Sequence, residues 1–239
     1  MQRETSDYYQ KCARSVKFQT AGFFEDNVDR LYSFNSQKSV ISKSLGVAET
    51  KYFDKESNLF LSRGHLAGKA IGDISICERA PQWQTFNGGN WNSLENNIRA
   101  LSLRHTVPLE FYSGTIGISS LPNSKNVSQE IYLHDTKTEK KIPVPKLYFR
   151  VILEQEQSSK RRKGVVVIGV NNPYANPSEI RNSYKICEPN VIDKLSWLDS
   201  LKGDLKNNQK GYLYACEVKD FVKNVKFLPP ITNVDQLLI

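Results

Sequence analysis

Residues 59–65 read LFLSRGH and residues 80–104 read APQWQTFNGGNWNSLENNIRALSLR, and these two stretches carry most of the structural signal. Leu59-Phe60-Leu61 is a short apolar run typical of a strand. The residues that follow it, Ser62-Arg63-Gly64-His65, place an arginine and a histidine at the end of the expected strand. Glycine permits a sharp turn, so both side chains are expected at one rim.

The second stretch predicts a helix that follows Asn87-Gly88-Gly89-Asn90 and runs from about Trp91 to Arg104. Three apolar residues recur at spacings of three and four and are expected to face the core: Leu94, Ile98 and Leu101. A second stripe recurs every four residues: Trp91, Glu95 and Arg99. This stripe places a carboxylate and a guanidinium one turn apart. The strand, the histidine, the asparagine and the helix are therefore expected to converge on one pocket.

These residues resemble the signature of a known family, the sugar-non-specific DNA/RNA endonucleases with a ββα-metal site. The family's Asn-x-x-x-Trp-x-x-x-Glu-x-x-x-Arg is present in full from Asn87 to Arg99. Its Asp-Arg-Gly-His is present with Ser62 in the first position, so the usual carboxylate is missing there. The run Gln82-Trp83-Gln84 and the residues up to Trp91 are most similar to the secreted arthropod nucleases and double-stranded ribonucleases.

The resemblance implies an α+β fold, with a mixed, mainly antiparallel central sheet flanked by helices and a ββα-metal site. Phe111 to Thr115 and Pro145 to Val151 look like core strands of the family. No Pro/Gly/Ser-rich linker divides the chain of 239 residues. One nuclease domain over 1–239 is therefore favoured over two small ones, with 1–50 as an N-terminal extension packed on the core. Within that extension, Ser39-Val40-Ile41 suggests a strand.

The resemblance also implies a role for each motif residue. His65 is expected to act as the general base, because an imidazole accepts a proton near neutral pH. Asn87 is expected to bind a divalent cation, Mg²⁺ or alternatively Mn²⁺, which keeps several of its waters. Glu95 is expected to hold a metal-bound water or to orient Arg99. Arg63 and Arg99 offer planar guanidinium groups to phosphate oxygens. Trp91 is expected to pack in the core rather than stack on a base.

A second basic feature lies between two strong strand candidates, Lys146 to Leu153 and Val165 to Val170. The turn between them reads Lys160-Arg161-Arg162-Lys163. Lys160, Arg161 and Arg162 are candidates for contact with substrate phosphates, although such a run at a hairpin tip is also typical of a solvated surface. The formal net charge of +8 agrees with a polyanionic partner, because clustered cations bind phosphate backbones without reading sequence.

Four cysteines lack any C-x-x-C spacing, which excludes the usual zinc-ribbon and thioredoxin patterns. We expect the disulfides Cys12–Cys77 and Cys187–Cys216, with buried free thiols as the alternative. No segment approaches the roughly 20 apolar residues that span a bilayer, so no membrane partner is expected. The N-terminus has no apolar signal core. The arthropod resemblance nevertheless implies a secreted protein, whose signal peptide would be absent from this chain.

The sequence therefore predicts a metal-dependent endonuclease that hydrolyses phosphodiester bonds in DNA, RNA or both and leaves 5′-phosphate ends. The alternative is a catalytically weak or inactive nucleic-acid-binding protein on the same scaffold. The intact residues Arg63, His65, Asn87, Glu95 and Arg99 favour the enzyme, and activity is expected to survive the serine at position 62. The oligomeric state and the preference between DNA and RNA stay open.

Overall fold

The computed structural model describes residues 28–65, 79–105, 107–154 and 161–239. The helices in these ranges are α1 (Val28–Leu31), α2 (Phe34–Leu45), α3 (Gln84–Phe86), α4 (Asn92–Arg104), α5 (Pro177–Glu179) and α6 (Val218–Asn224). Two π-helical segments cover Asn87–Trp91 and Ile180–Tyr184, and 3₁₀ segments cover Ile192–Lys194, Ser196–Leu201 and Asn208–Lys210 in the described ranges. The strands are β1 (Leu61–His65), β2 (Arg79–Trp83), β3 (Leu109–Ile118), β4 (Ser120–Pro122), β5 (Ser128–Glu130), β6 (Tyr132–Asp135), β7 (Lys140–Pro143), β8 (Pro145–Glu154), β9 (Arg162–Val170), β10 (Leu213–Cys216) and β11 (Val234–Leu237).

The central sheet has the strand order β10-β9-β8-β3, and these four strands are antiparallel, while β11 adds to β9 in parallel. The predicted α+β fold is thus confirmed, as are the predicted core strands in β3, β8 and β9. Both β8 and β9 are almost continuously apolar, because a sheet covered on both faces buries every side chain.

Two apolar clusters pack on the two faces of this sheet. One contains Tyr148 and Ile152 of β8 together with the predicted stripe of α4, whose three residues are all buried: Leu94, Ile98 and Leu101. The other contains Phe149 and Val151 of β8 together with Phe221 of α6. Alternation along the strand therefore divides the core, and α4 covers one face.

The N-terminal part of the described chain contains a helix where a strand was predicted. Ser39-Val40-Ile41 lies inside α2, so that prediction was wrong. The hydroxyl of Ser33 accepts a hydrogen bond from the backbone N–H of Ser36 and caps the helix start, and Gly46 ends the helix with φ of 64°. Ile41 and Leu45 lie one turn apart and are both buried. Capping and burial outweigh the strand preference of a β-branched pair.

The strands β1 and β2 pair antiparallel, and α3 begins at the residue after β2, which gives the ββα order. Arg63, Gly64 and His65 lie within β1 itself, whereas the sequence predicted them just beyond the strand. Gly64 is required because a Cβ there would lie 2.2 Å from Oε1 of Gln82 on the paired strand. The hairpin therefore needs glycine for a close side-chain approach rather than for a turn.

The helical segment begins at Gln84, seven residues before the predicted start at Trp91. The Asn87–Trp91 segment continues from α3 into α4, and only Gly89 departs from helical geometry, with φ of −93° and ψ of −120°. π-Helical turns in helices often accompany functional sites. Asn87 thus lies inside a kinked helix and not in a loop before it.

Cys187 and Cys216 form a disulfide, as predicted. Cys12 and Cys77 lie outside the described residues, as does most of the N-terminal extension. No helix in the described ranges is long and apolar enough to cross a membrane. The organisation of 1–239 as one domain stays a prediction.

Candidate active site

A hydrogen bond joins the β1–β2 hairpin to the kinked helix at the centre of the motif. Nδ2 of Asn87 donates to Oγ of Ser62 over 3.0 Å, and the Ser62 hydroxyl donates to the backbone oxygen of Gln82 over 3.0 Å. Because the hydroxyl proton is used on Gln82, Ser62 acts toward Asn87 as an acceptor. The Asn87 amide is thereby oriented with its NH₂ toward the hairpin, and its carbonyl oxygen is left as the atom for a hard cation.

Strand alternation places Arg63 on the other face of β1 from Ser62. Its guanidinium pairs with the carboxylate of Asp29 and lies 5.3 Å from the ring centroid of Tyr32. Both partners belong to the segment around α1. The arginine and the aspartate remain about one-third exposed, so the pair lies at the surface rather than in the core.

His65 is the last residue of β1 and is half-buried. It lies opposite Arg79 of β2 in the antiparallel register, three residues beyond Ser62. At about 3.3 Å per strand residue, its Cα is roughly 10 Å from that of Ser62. By strand alternation the side chain of His65 lies on the face of Arg63, and Ser62, which contacts Asn87, lies on the other face.

Glu95 on α4 has a buried partner that the sequence did not predict. Its Oε1 accepts a hydrogen bond from Nη2 of Arg150 over 3.2 Å. Arg150 lies on β8, is completely buried, and also donates from Nε to Oγ of Ser113 over 3.1 Å. Its guanidinium lies 5.4 Å from the ring centroid of Trp91. The central sheet therefore holds the carboxylate of the motif through a guanidinium.

Burial lowers the pKa of the Arg150 guanidinium, and the neighbouring carboxylate of Glu95 acts against this shift. The arginine stays protonated because its ordinary pKa is far above neutrality. Glu95 is about one-fifth exposed, so one side of its carboxyl group faces the surface. The only sequence signal for Arg150 was a single charged residue within the otherwise apolar Leu147-to-Leu153 run.

Arg99, one turn beyond Glu95, is exposed and donates from Nη1 to Oδ1 of Asn96 over 2.9 Å. The carboxylate of Glu95 contacts Arg150 in this structure, and Arg99 remains on the outer surface of α4. Trp91 is buried and packs edge-on against Phe86 and Tyr148. The prediction that Trp91 packs in the core is confirmed.

The basic turn lies near the far end of the sheet. Arg161 is exposed, with Nε 3.6 Å from Asp235, and Arg162 pairs with Glu110. Arg162 is five residues along β9 from Val167, the residue opposite Arg150, which is a distance of roughly 16 Å. Lys160 lies outside the described residues. Contact of this turn with substrate stays a prediction.

The donor set around Asn87 fits a weakly held Mg²⁺ or Mn²⁺. No group of three or more His, Cys, Asp or Glu side chains with metal-binding proximity occurs in the described ranges. A site with one oriented amide oxygen fits a cation that retains most of its waters. The carboxylate of Glu95, two turns along the helix, is the candidate to hold such a water.

A family model for DNA/RNA non-specific endonucleases matches residues 2–221. This chain belongs to that family. The chain is 28% identical to a salivary endonuclease of Lutzomyia longipalpis over 93% of its own length and 52% of the relative's. It is 26% identical to the salivary protein Tsal1 of Glossina morsitans morsitans over 66% of its own length and 36% of the relative's. The chain thus spans about half or less of these curated relatives.

The family match and the two insect relatives confirm the predicted resemblance to the non-specific endonucleases and to their arthropod branch. The family generally depends on a divalent metal ion. At Ser62 this endonuclease-family chain has a neutral hydroxyl in the position that usually carries a carboxylate. The hydroxyl still contacts Asn87, so the hairpin retains a polar partner for the helix residue without the charge.

Proposed function

We propose that this chain is a sequence-independent endonuclease that hydrolyses phosphodiester bonds in DNA, RNA or both, with Mg²⁺ or Mn²⁺ bound at Asn87. The observation that supports it best is the hydrogen bond from Asn87 to Ser62, because it presents the amide oxygen of the motif. A bound cation supplies charge stabilisation to the phosphoryl oxygens. The net charge of +8 supports a nucleic-acid substrate.

In this proposal His65 accepts a proton from the attacking water at an imidazole nitrogen, which creates the nucleophile. The guanidinium groups of Arg63 and Arg99 bind the phosphate oxygens as negative charge shifts onto these oxygens. The bond from phosphorus to the 3′ oxygen breaks, and that oxygen takes up a proton from water, which leaves a 3′-hydroxyl and a 5′-phosphate end. Arg63 first has to exchange Asp29 for phosphate. Surface ion pairs typically contribute about 0–1 kcal/mol, so breaking the Arg63–Asp29 pair costs little free energy.

Glu95 is proposed to hold a cation-bound water on its surface side, while Arg150 fixes the carboxylate from the core side. Because Arg150 is completely buried and is also bonded to Ser113, the carboxylate is held by a rigid strand. Positioning from a sheet is more exact than positioning from a loop. Arg150 is therefore a positioning residue and does not touch substrate.

The proposed site of action is outside the cell. The salivary names of the relatives and the Cys187–Cys216 disulfide support an extracellular protein. The proposed partner is nucleic acid bound without sequence preference, with no membrane partner. A catalytically weak binding protein on the same scaffold is the competing function. The serine in place of the usual carboxylate at position 62 favours it.

The test is cleavage of plasmid DNA and double-stranded RNA by the purified protein with Mg²⁺, with EDTA, and as His65→Ala with Mg²⁺. We expect cleavage only by the wild type with Mg²⁺, and a loss of roughly 10²–10⁴-fold for His65→Ala. His134→Ala is the matched control, because His134 is a half-buried histidine on β6, outside the ββα unit. It should cut like the wild type.

Calorimetric titration with Mn²⁺ provides a second arm that does not depend on turnover. The wild type should bind the ion, and Asn87→Ala should bind it at least several-fold more weakly. Retardation of nucleic acid by a wild-type protein that never cuts it, under any of the metal conditions, would establish the binding protein instead.

A further inference from the structure

An open cleft of about 570 Å³ begins at the residue after Asn87. Its walls come from the segment before β1, from the start of the kinked helix and from the loop 204–210. The residues that line it include the following six: Asn58, Gln84, Thr85, Gly88, Gln209 and Lys210. The volume lies within the range of about 300–1,000 Å³ that is usual for ligand sites.

The walls of the cleft are fixed by the part of the Asn87-to-Asn90 motif that the proposed chemistry does not use. Nδ2 of Asn90 donates to the backbone oxygens of Asp204 and Gly211, each over 2.7 Å. A Cβ on Gly89 would lie 2.6 Å from the backbone oxygen of Lys210, so only glycine permits this approach. The loop 204–211 is therefore held against the helix by a glycine and a buried asparagine.

The opposite wall is fixed by the backbone. The N–H of Gln84 donates to the carbonyl oxygen of Phe60 over 2.8 Å, which ties the start of the helix to the segment that follows Asn58. Because both walls are bonded to the same helix, the cleft keeps its width without a ligand. Such preorganisation lowers the entropic cost of binding.

The chemistry of the lining is that of neutral amides and hydroxyls. The side chains of Asn58, Gln84 and Gln209 line the cleft, and none of the three makes a side-chain hydrogen bond within the described chain. The hydroxyl oxygen of Thr85 is buried and has no hydrogen-bond partner among the described residues. An unpaired buried polar atom is costly, so a polar ligand that reaches the Thr85 hydroxyl gains affinity. Asn58 and Gln209 are exposed and Gln84 is half-buried, so their amides are accessible to a ligand.

Charge argues against a phosphate in this cleft. Lys210 is the only cation among the described residues that line the cleft, and its Nζ pairs with the carboxylate of Asp204 over 2.9 Å. A phosphate there would meet a neutralised lysine and an aspartate. The uncharged parts of a nucleotide, its sugar and its base, match the lining better, because amides bond base edges and hydroxyls.

We propose that this cleft is a nucleotide subsite, which takes the sugar and base of the substrate nucleotide adjacent to the phosphate at Asn87. The inference rests on the proposed function. Each amide side chain offers both a carbonyl oxygen and an NH₂ group and can turn either toward the ligand. The cleft therefore accepts any base and favours nucleotides that are unpaired, which is consistent with sequence-independent cleavage.

The test compares two short single-stranded probes of equal length and charge, an oligothymidylate and its fully abasic counterpart. Binding is measured by fluorescence anisotropy, and every protein carries His65→Ala so that the probes are not cleaved. Adding Gln84→Ala and Gln209→Ala should weaken oligothymidylate binding by roughly three- to tenfold and should weaken binding of the abasic probe, which keeps only the sugar, clearly less. Gln236→Ala, an exposed glutamine on β11, is the control and should change neither. Thermal unfolding verifies that all variants fold.

Equal weakening of both probes, or no weakening of either, overturns the subsite. These outcomes are separate from the proposed function, because binding is measured without cleavage. If the wild type fails to cut nucleic acid while the amide variants still lose affinity for the base-bearing probe, the subsite stands and only the hydrolase fails. If the wild type cuts and the two probes respond alike, only the subsite fails.

Discussion

The two faces of β8 differ in chemistry although both are buried. The face toward α4 carries Tyr148 and Arg150, with a phenol, a guanidinium and the contact to Glu95. The face toward α6 carries Phe149 and Val151, and the ring centroid of Phe149 lies 5.0 Å from that of Phe221. Both faces thus pack in apolar clusters, but the face toward α4 also buries the charged side chain of Arg150.

This difference separates stability from the geometry of the site. Removing a guanidinium from water costs several kcal/mol, and a partner carboxylate regains much of it only when the geometry is good. Apolar burial carries no such cost and contributes about 25 cal/mol per Å². The face toward α6 thus stabilises the fold. On the face toward α4, the desolvation of Arg150 offsets part of that stability, and the buried guanidinium holds the carboxylate of Glu95.

The largest expected effect is on the apolar face. Phe149→Ala should lower the free energy of unfolding by about 4 kcal/mol, because it leaves a cavity between β8 and α6. Cleavage per folded molecule should change little, since Phe149 faces away from the ββα unit. Urea unfolding and plasmid cleavage well below the midpoint measure the two quantities. Phe149→Leu should lose clearly less stability. A large loss of turnover in the folded variant would remove the distinction between the faces.

The polar face should respond next. Glu95→Ala leaves the buried guanidinium of Arg150 without its carboxylate, and we expect a loss of about 3 kcal/mol, the lower end for a broken buried pair, because Glu95 is partly exposed. The matched variant on the same helix, Arg99→Ala, should change stability by less than about 0.5 kcal/mol because that residue is exposed.

Arg150→Met in the Glu95→Ala background tests whether the loss of stability comes from the buried guanidinium. Replacing the guanidinium that has lost the carboxylate of Glu95 by an apolar side chain of similar length should restore part of the lost stability, as measured by urea unfolding. Cleavage should not be restored with it. If Glu95→Ala and Arg99→Ala destabilise the protein equally, the buried pair does not distinguish this face.

The smallest effect at neutral pH concerns Tyr148. Burial raises its pKa well above the ordinary value of about 10, and its hydroxyl has no hydrogen-bond partner within the described chain. Tyr148→Phe should therefore leave stability nearly unchanged at pH 7. Above pH 10 the unfolded chain releases this proton while the folded chain retains it, so wild-type stability falls as pH rises.

The phenylalanine variant lacks that titration, and its stability should fall less steeply above pH 10. Urea unfolding at neutral and alkaline pH compares the two proteins. Equal alkaline slopes would mean that Tyr148 does not stay protonated in the folded state. Tyr32, whose pKa burial also raises, contributes to the slope that remains in both proteins.

The parts of the fold with strong local periodicity were predictable. The stripe of Leu94, Ile98 and Leu101 and the strands β8 and β9 follow from spacing and composition alone. The helix α2 was not, because its apolar residues are sparse and its end depends on a cap at Gly46. A three-residue run such as Ser39-Val40-Ile41 carries too little signal to outweigh its surroundings.

The motif residues were predictable by type, but their partners were not. Glu95 bonds to a residue 55 positions later in the chain, and Arg63 to one 34 positions earlier. Such pairs depend on how the sheet and helices are assembled, and no local pattern encodes them. The orientation of the Asn87 amide likewise required the position of Ser62, 25 residues away. The identity of the metal, the role of His65 as general base and the preference between DNA and RNA stay predictions.

The two bonds of Asn90 to the loop 204–211 span 114 and 121 residues of chain. During synthesis, a polypeptide that ends before residue 204 contains the hairpin, the helix and the motif but lacks the second wall of the cleft. Closing so long a loop is also entropically costly and slow. The cleft beside Asn87 is thus completed only after residue 211 has been made, more than 100 residues after the motif itself.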